Sequence, residues 1–311
     1  MRVFVAGASG AIGRPLVRQL VAAGHEVTGM TRRTERAAEI KAAGATPALC
    51  DVFDTHTLRE VVAAASPEVV VNQLTALPAA LDLRRDDVYE ATNRVRTEGT
   101  RNLIGAAGAV GTKRMVAQGI SFVYEPVGGP VKTEDDPVMT NAPEPFAGAL
   151  AAMMDAERQV TSAEGMDGLV LRYGFFYGPD TAFAPGAYYE GEVRRRRLPV
   201  IGGGRGVSSF IHVEDAAAAT VAACARGAPG IYNVTDDDPA AMREWVPAFA
   251  ERVGAKRPRR VPAWLAGLVA GRGLVTLAIA TRGASNEKAK RELEWQPLYS
   301  SWRQGFREAL G

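Results

Sequence analysis

Cysteine and histidine are scarce in this sequence, and their scarcity excludes several kinds of site. The two cysteines, Cys50 and Cys224, are too few for a disulfide framework or a cysteine-rich metal site, which is typical of a reducing cytosol. His25 and His56 have no clustered acidic or cysteine neighbours, and His212 falls in a strand-like segment where a core histidine is the ordinary interpretation. The sequence therefore predicts a cytoplasmic protein without a metal site.

The sequence also lacks an excess of charge of one sign and an uninterrupted apolar run. Its 311 residues include 37 basic and 35 acidic side chains, so a net charge of +2 predicts neither nucleic acid nor an anionic membrane as partner. Residues 261–280 are the most apolar stretch, but three glycines and Arg272 interrupt it, whereas a membrane span needs about 20 nearly uninterrupted apolar residues. We expect helices there that pack on the protein or line a pocket. The strand-like start leaves no room for a secretory signal.

Lysine is the third shortage. The sequence contains six lysines, and none lies between Lys132 and Lys256. Arginine-rich coding can produce such a gap, so the gap alone indicates nothing about function. It matters for function only because it spans the whole predicted helix 146–163, in which a lysine is expected.

Short apolar runs alternate with helical patterns along most of the chain. The predicted strands are 2–6, 25–30, 46–49, 69–72, 114–118, 168–171, 209–213 and 230–234, and the predicted helices are 12–23, 35–43, 58–65, 94–109, 146–163 and 215–225. This alternation predicts an α/β protein with a doubly wound parallel sheet, the Rossmann arrangement. We expect a dinucleotide-binding lobe of residues 1–172 and 207–236, interleaved with a smaller, mostly helical substrate lobe of residues 173–206 and 237–311.

Three glycines lie between the first predicted strand and the first predicted helix, in the segment Gly7-Ala8-Ser9-Gly10-Ala11-Ile12-Gly13. Glycines at this spacing let the backbone turn tightly, approach a pyrophosphate and pack the helix against the strand. The helix N-terminus then faces the phosphate charge. The residues predicted to bind the dinucleotide here are Gly7, Ser9, Gly10, Ala11, Ile12 and Gly13.

The ends of the next strands are placed to bind the rest of the dinucleotide. Arg32 and Arg33 follow the second strand, where NAD-binding proteins usually have an acid, whereas an arginine accommodates the 2′-phosphate of NADP. The sequence therefore predicts NADP over NAD, although a solvated charge pair at a helix start is the alternative. Further cofactor contacts are predicted at the ends of the third and fourth strands, from Asp51, Val52, Leu74 and Thr75.

Several motifs together resemble one enzyme family. They are the glycine triplet, Gly99-Thr100-Arg101-Asn102-Leu103, Val123-Tyr124, Leu171-Arg172-Tyr173, Tyr177-Gly178-Pro179, Phe210-Ile211-His212-Val213-Glu214-Asp215 and Asn286-Glu287-Lys288-Ala289-Lys290. Nearly the whole chain resembles the extended short-chain dehydrogenases/reductases of the NAD(P)-dependent epimerase/dehydratase superfamily. The resemblance implies a nicotinamide cofactor, a small-molecule substrate and, by family habit, a homodimer formed through helices of the cofactor lobe.

The chain departs from this family at the catalytic positions. Members normally carry a Tyr and a Lys four residues apart after the fifth strand, so that the ammonium lowers the pKa of the phenol. With the helix aligned on Glu157, the resemblance puts Ala149 and Met153 at these positions, and the lysine gap removes the partner in any register. Counting back from Tyr124 puts Ile120 where the family has a Ser or Thr that polarises the substrate carbonyl.

Hydride transfer can survive these losses, because the nicotinamide carries the hydride and the protein needs only to orient the substrate and stabilise developing charge. Candidate proton donors are Ser121 and Tyr124 after the fifth strand and Tyr173 at the end of the sixth. For both tyrosines the alternative is packing against the cofactor or the core. We predict an atypical NADP-dependent oxidoreductase; a non-catalytic NADP-sensing or scaffold protein and an epimerase or dehydratase with internal redox remain alternatives.

The predicted substrate lobe lacks the anchors of nucleotide-sugar enzymes. The resemblance places Phe175 where those enzymes have an Asn, and Ser208 where they have an Arg that grips a phosphate. A small, largely apolar substrate is predicted instead, in a pocket with aromatic walls formed by Phe175, Phe176, Phe183, Tyr188 and Tyr189. The run Arg194-Arg195-Arg196-Arg197 is predicted to be a solvated helix end.

Overall fold

Strands and helices alternate from the first residues onward in the computed structural model, which describes residues 1–77 and 87–309. Its strands are β1 (Arg2–Ala6), β2 (Glu26–Thr31), β3 (Thr46–Leu49), β4 (Val69–Asn72), β5 (Arg114–Ile120), β6 (Val131–Lys132), β7 (Asp167–Tyr173), β8 (Phe175–Tyr177), β9 (Val200–Ile201), β10 (Val207–Ser208), β11 (Phe210–His212), β12 (Gly230–Val234), β13 (Ala240–Ala241), β14 (Arg260–Val261) and β15 (Gly283–Ala284).

The helices cover the sheet and build most of the C-terminal part. They are α1 (Gly13–Ala22), α2 (Thr34–Ala42), α3 (Thr55–Ala65), α4 (Glu90–Arg94), α5 (Thr100–Ala109), α6 (Phe146–Thr161), α7 (Tyr188–Arg194), α8 (Val213–Ala225), α9 (Met242–Arg252), α10 (Ala263–Ala270), α11 (Arg272–Ala280), α12 (Glu287–Glu292) and α13 (Trp302–Ala309). A π-helical turn, Val95–Gly99, joins α4 to α5.

Seven strands form one parallel sheet in the order β12-β7-β5-β4-β1-β2-β3. The chain builds the sheet from β1 towards β3 on one side and from β4 towards β12 on the other, so the order reverses between β1 and β4. In open sheets of this kind, ligands bind beyond the carboxyl ends of the strands at the point of reversal. The predicted doubly wound, Rossmann-like fold is confirmed. Its topology favours a ligand site beyond the carboxyl ends of β1 and β4.

Both faces of the sheet are buried, which is why β1 is apolar from Val3 to Ala6 and β4 from Val69 to Val71. Successive side chains of β1 point to opposite faces: Val3 and Val5 pack with Leu16 of α1, whereas Phe4 packs with Leu103 of α5. All five side chains are at most 1% exposed. The sheet is therefore a rigid support for the residues at the ends of its strands.

A second, strongly aromatic core lies in the C-terminal part of the structure. Phe183, Phe210, Trp245 and Phe306 form edge-to-face and stacked contacts with ring centroids 5.5–6.0 Å apart. Residues 261–280 contribute the two short helices α10 and α11, and no helix within 1–77 and 87–309 is long and apolar enough to cross a membrane.

Candidate active site

The turn between β1 and α1 is rich in glycine because two of its positions do not tolerate a side chain. Gly7 has a φ of +89°, and a Cβ there would lie 2.6 Å from the carbonyl oxygen of Gln73. A Cβ on Gly13 would overlap the carbonyl oxygen of Gly7, so only glycine lets α1 approach β1 this closely. A Cβ on Gly10 would meet that same oxygen at 3.3 Å and no other described atom within 4 Å, so the loop faces open space there.

The start of α1 presents the positive end of a helix dipole to the glycine loop, although the Arg14 N–H already donates to the Gly10 carbonyl oxygen at 3.1 Å. Ile12, at the N-cap and 6% exposed, makes no side-chain capping hydrogen bond, and the first turn contains no acidic residue among the described side chains. The Ser9 hydroxyl lies 3.2 Å from that of Thr31, and the Ser9 carbonyl accepts a hydrogen bond from Arg14 Nε at 3.3 Å. The open space at Gly10, the positive end of the helix and a fixed loop fit the pyrophosphate of a dinucleotide.

Arg32 and Arg33 follow β2 at the same edge of the sheet. Both are exposed, and neither side chain forms a hydrogen bond or ion pair with another residue in the described ranges. The two guanidinium groups therefore remain able to bind an external anion.

Asp51 and Val52 follow β3 at this edge of the sheet. The Asp51 side chain accepts the Phe53 N–H at 2.9 Å, and Val52 is 5% exposed.

Leu74 and Thr75 follow β4 and complete this edge. The Leu74 N–H donates to Asn72 Oδ1 at 3.1 Å, and the Leu74 carbonyl accepts from Gln118 Nε2 at 2.6 Å. The Thr75 hydroxyl lies 3.2 Å from the Thr92 hydroxyl. All predicted cofactor-binding segments thus follow the carboxyl ends of β1 to β4, where the fold places a dinucleotide.

A cavity of about 1140 Å³ contains the three positions that the alignment on Glu157 and Tyr124 assigns to the family's catalytic side chains. Ile120 lies at the end of β5, and Ala149 and Met153 lie four residues apart on one face of α6. All three line the cavity. The wall therefore presents methyl, methylene and thioether groups at the three places where a hydroxyl, a phenol and an ammonium would be expected.

Four of the five aromatic side chains predicted for the pocket line the cavity. Phe175, Phe183, Tyr188 and Tyr189 line it, whereas Phe176 does not and instead packs against the ring of Tyr173. The rings of Phe122 and Phe175 stack with centroids 4.4 Å apart and planes at 4°. Ser208 also lines the cavity, so both positions at which the resemblance expects a nucleotide-sugar anchor belong to its wall.

Tyr173, one of the three predicted proton donors, lies inside the sheet core. Its side chain is 0% exposed, and its hydroxyl accepts a hydrogen bond from Gln73 Nε2 at 3.0 Å and lies 2.6 Å from the Thr220 hydroxyl. Burial raises the pKa of this phenol well above its usual range. Tyr173 is not among the described residues that line the cavity.

Ser121 and Tyr124, the other two candidates, are each 2% exposed and likewise do not belong to the described cavity wall. The Tyr124 hydroxyl donates to Asn233 Oδ1 at 2.7 Å, and burial raises the pKa of the phenol. The Ser121 N–H donates to the carbonyl of Tyr173 at 2.8 Å. The structure therefore does not bring the three candidate hydroxyls together around the cavity.

The charged side chains of the cavity wall were not predicted from the sequence. Arg96, on the π-helical turn, lines it, and so do Arg196 and Arg197 of the run predicted to be solvated. Arg196 has a φ of +58°, which turns the chain after α7, whereas Arg194 forms an exposed pair with Glu190 at 2.7 Å. Neither a π-helical turn nor a left-handed residue follows from hydrophobic periodicity. The sequence therefore did not indicate that Arg96 and Arg196 would face the cavity.

Cysteine, histidine and acidic side chains form no metal-binding cluster in the described part of the chain. Within residues 1–77 and 87–309, no group of three or more His, Cys, Asp or Glu side chains could hold a metal ion. Burial raises the pKa of the Cys50 thiol to about 11 and that of Cys224 to about 12, so neither forms a thiolate readily at neutral pH.

Comparison with known proteins agrees with this geometry. Residues 3–235 match the NAD dependent epimerase/dehydratase family. A Streptomyces sp. protein named 3-diazoavenalumate denitrifying reductase is 45% identical over 310 residues, covering 98% of this chain and 99% of that protein. A Stigmatella aurantiaca protein named 4-hydroxy-2-methyl-3-oxo-4-farnesyl-3,4-dihydroquinoline-1-oxide ketoreductase is 32% identical over 262 residues, covering 82% of this chain and 74% of that protein.

Solved structures share the fold over the whole chain. A UDP-glucose 4-epimerase from Thermotoga maritima with UDP-glucose has a TM-score of 0.78 at 19% identity, covering 100% of this chain and 97% of that one. A human epimerase family protein with NADPH has a TM-score of 0.76 at 21% identity, covering 100% and 99%. The family and its reductase members support a nicotinamide cofactor and redox chemistry. The chain is an oxidoreductase and belongs to the NAD dependent epimerase/dehydratase family.

Proposed function

We propose that the protein is an NADP-dependent reductase that transfers a hydride to a small aromatic substrate without taking a proton from a protein side chain. The observation that carries this proposal is the apolar wall of Ile120, Ala149 and Met153. Reduction of a carbonyl creates an oxyanion, which ordinarily takes a proton from a side chain at this wall. None of these three side chains can donate a proton, and the nearby Arg96 guanidinium keeps its own at neutral pH, so the wall fits an acceptor that leaves no oxyanion behind.

An aryl diazonium ion is an acceptor of this kind. The hydride forms a C–H bond at the ring carbon, the C–N bond breaks, and its electron pair leaves with dinitrogen, so no proton is consumed. A bound nicotinamide cofactor supplies the hydride. The named activity of the Streptomyces relative, denitrifying reduction of a diazo compound, supports this acceptor class for the present chain.

The side chains of the cavity suit such a substrate. Phe122 and Phe175 form a flat stacked pair on the cavity wall, against which an aromatic ring can pack. The same apolar walls keep water from the reacting carbon, which protects a reactive electrophile from hydrolysis. The protein thus binds, orients and shields the substrate.

The experiment traces the hydride from the cofactor to the product with a deuterium label. Purified enzyme is incubated with 4-diazobenzoate and NADPH deuterated at nicotinamide C4, and the benzoate formed is analysed by mass spectrometry. We expect one deuterium at the ring carbon that carried the diazo group, with dinitrogen released, well above the rate without enzyme. Tyr124→Phe and Ser121→Ala should keep turnover within about threefold of wild type, because neither hydroxyl lines the cavity.

Two results would contradict the proposal. One is the absence of enzyme-dependent NADPH oxidation with the diazonium substrate while a ketone such as acetophenone is reduced. The other is a loss of turnover of about 100-fold in Tyr124→Phe, which would assign general acid catalysis to that phenol.

The preference for NADP rests on Arg32. Arg32→Asp should raise the KM for NADPH by about tenfold or more and change that for NADH much less, because a charge-assisted hydrogen bond to the 2′-phosphate is replaced by repulsion. Steady-state kinetics with both cofactors measures the ratio. Arg59→Asp, an exposed change on α3, is the matched control. An unchanged ratio in Arg32→Asp would show that Arg32 is only surface charge.

A further inference from the structure

Arg96 is a half-buried cation for which the described residues provide no acidic partner. It lies on the π-helical turn between α4 and α5 and lines the cavity next to Ile120 and Met153. Its Nη1 atom is buried and has no hydrogen-bond partner. No carboxylate of residues 1–77 and 87–309 forms an ion pair with it. Turns of π-helix occur frequently at functional sites.

The isolation of this guanidinium is costly for the protein alone. Burial lowers the pKa of Arg96 to about 10, which still leaves the side chain charged at neutral pH. A buried charge without a counterion destabilises the folded state, and an anion from a ligand would remove that penalty. The cavity therefore contains an anion-binding group that the protein itself does not use.

The other charged residues of the cavity differ from Arg96. Arg197 and Arg259 are exposed, so water solvates their charges. Arg196 shares with Arg96 a buried nitrogen without a partner, its Nε, but its Nη2 donates to the carbonyl oxygen of Arg257 at 3.3 Å. Glu192, the acidic residue found in the described cavity wall, lies 3.7 Å from Arg195 rather than beside Arg96. Arg96 is thus the half-buried cation beside Ile120 and Met153.

We propose that Arg96 binds the carboxylate of an aromatic carboxylic acid and so fixes the substrate against the wall of Ile120 and Met153. The guanidinium offers paired N–H donors that match the two oxygens of a carboxylate. The aromatic surroundings of the cavity accept the ring of the same molecule. This inference deepens the proposed function by naming the substrate class, and it rests on that function only for the identity of the reacting group.

The experiment measures binding, so it does not depend on hydride transfer. Enzyme saturated with NADP⁺, which cannot deliver a hydride, is titrated calorimetrically with 3-phenylpropanoate and with its uncharged amide. Wild type should bind the carboxylate about tenfold or more tightly than the amide. Arg96→Met should abolish this preference, and Arg96→Lys should retain part of it. Arg101→Met, an exposed arginine on α5, should behave as wild type.

A second measurement separates a ligand-binding role from a structural one. Because Arg96→Met removes a half-buried charge whose Nη1 has no partner, we expect the Tm of the ligand-free variant to equal or exceed that of wild type. A Tm several degrees below that of Arg101→Met would show that the protein already supplies a partner for the guanidinium, and would overturn the proposal.

Binding results can overturn it as well. A carboxylate preference that survives in Arg96→Met, or an equal loss of affinity for acid and amide, would show that Arg96 does not recognise the carboxylate. A matching loss of NADP⁺ affinity would assign the guanidinium to a phosphate of the cofactor instead. Each of these outcomes leaves the deuteride experiment on the reacting group unaffected, so the two proposals fail separately.

Discussion

Gly13→Ala should abolish measurable NADPH binding, with a loss of affinity on the order of 100-fold or more. The added methyl group would overlap the carbonyl oxygen of Gly7 and approach the backbone of Ala8 at 2.7 Å. Backbone atoms cannot rotate away as a side chain can, so α1 must move off β1. That movement displaces the helix N-terminus and the loop that face the pyrophosphate.

The effect on the cofactor can be separated from a general loss of stability. NADPH binding is measured by the change in nicotinamide fluorescence and by the cofactor-induced rise in Tm. Gly105→Ala is the matched control, since it lies within α5, where an added Cβ meets no described atom within 4 Å. That control should raise the free energy of unfolding by about 0.5–1 kcal/mol, because alanine favours helix over glycine. NADPH affinity within about threefold of wild type in Gly13→Ala would show that this loop does not bind the dinucleotide.

The central strands were predictable because burial on both faces leaves a continuous apolar run. The predicted bounds of β1, β3, β4 and β12 agree with the structure. β5 and β7 each extend two residues beyond their predicted ends, to Ile120 and Tyr173. Those two residues pair with each other across the sheet, and such pairing depends on the neighbouring strand rather than on local sequence.

The cofactor loop was predictable for a similar reason, whereas the direction of individual side chains was not. Glycine at positions 7 and 13 reflects a close approach of backbones that leaves no alternative residue. In contrast, Tyr173 ends a strand as an exposed catalytic phenol would, yet it points into the core towards Thr220. Arg96 had no distinguishing sequence pattern, because the π-helical turn that places it in the cavity wall has no hydrophobic period of its own.

The cavity wall depends on a buried ion pair between α6 and β7. Arg172 Nε donates to Glu157 Oε1 at 2.9 Å and Arg172 Nη2 to Oε2 at 2.6 Å, and the two side chains are 4% and 7% exposed. Glu157 follows Met153 by four residues on the same face of the helix. The pair therefore holds α6 in the register that places Ala149 and Met153 opposite Ile120.

Glu157→Gln should lower the free energy of unfolding by about 3–5 kcal/mol, because it leaves the Arg172 charge buried without its counterion. Urea unfolding measures the change. Arg158→Gln is the control on the same helix: its partner Asp155 is 3.0 Å away, but the arginine is 69% exposed, so the loss should stay below about 1 kcal/mol.

A double variant shows whether the charge itself is responsible. Replacing both partners, as in Glu157→Leu with Arg172→Met, removes the unpaired charge and should recover much of the stability lost in Glu157→Gln. A double variant no more stable than Glu157→Gln would mean that packing, rather than the missing counterion, holds α6 against β7. In that case the apolar wall of Ile120, Ala149 and Met153 would owe its geometry to side-chain shape, and the charge would be dispensable to the site.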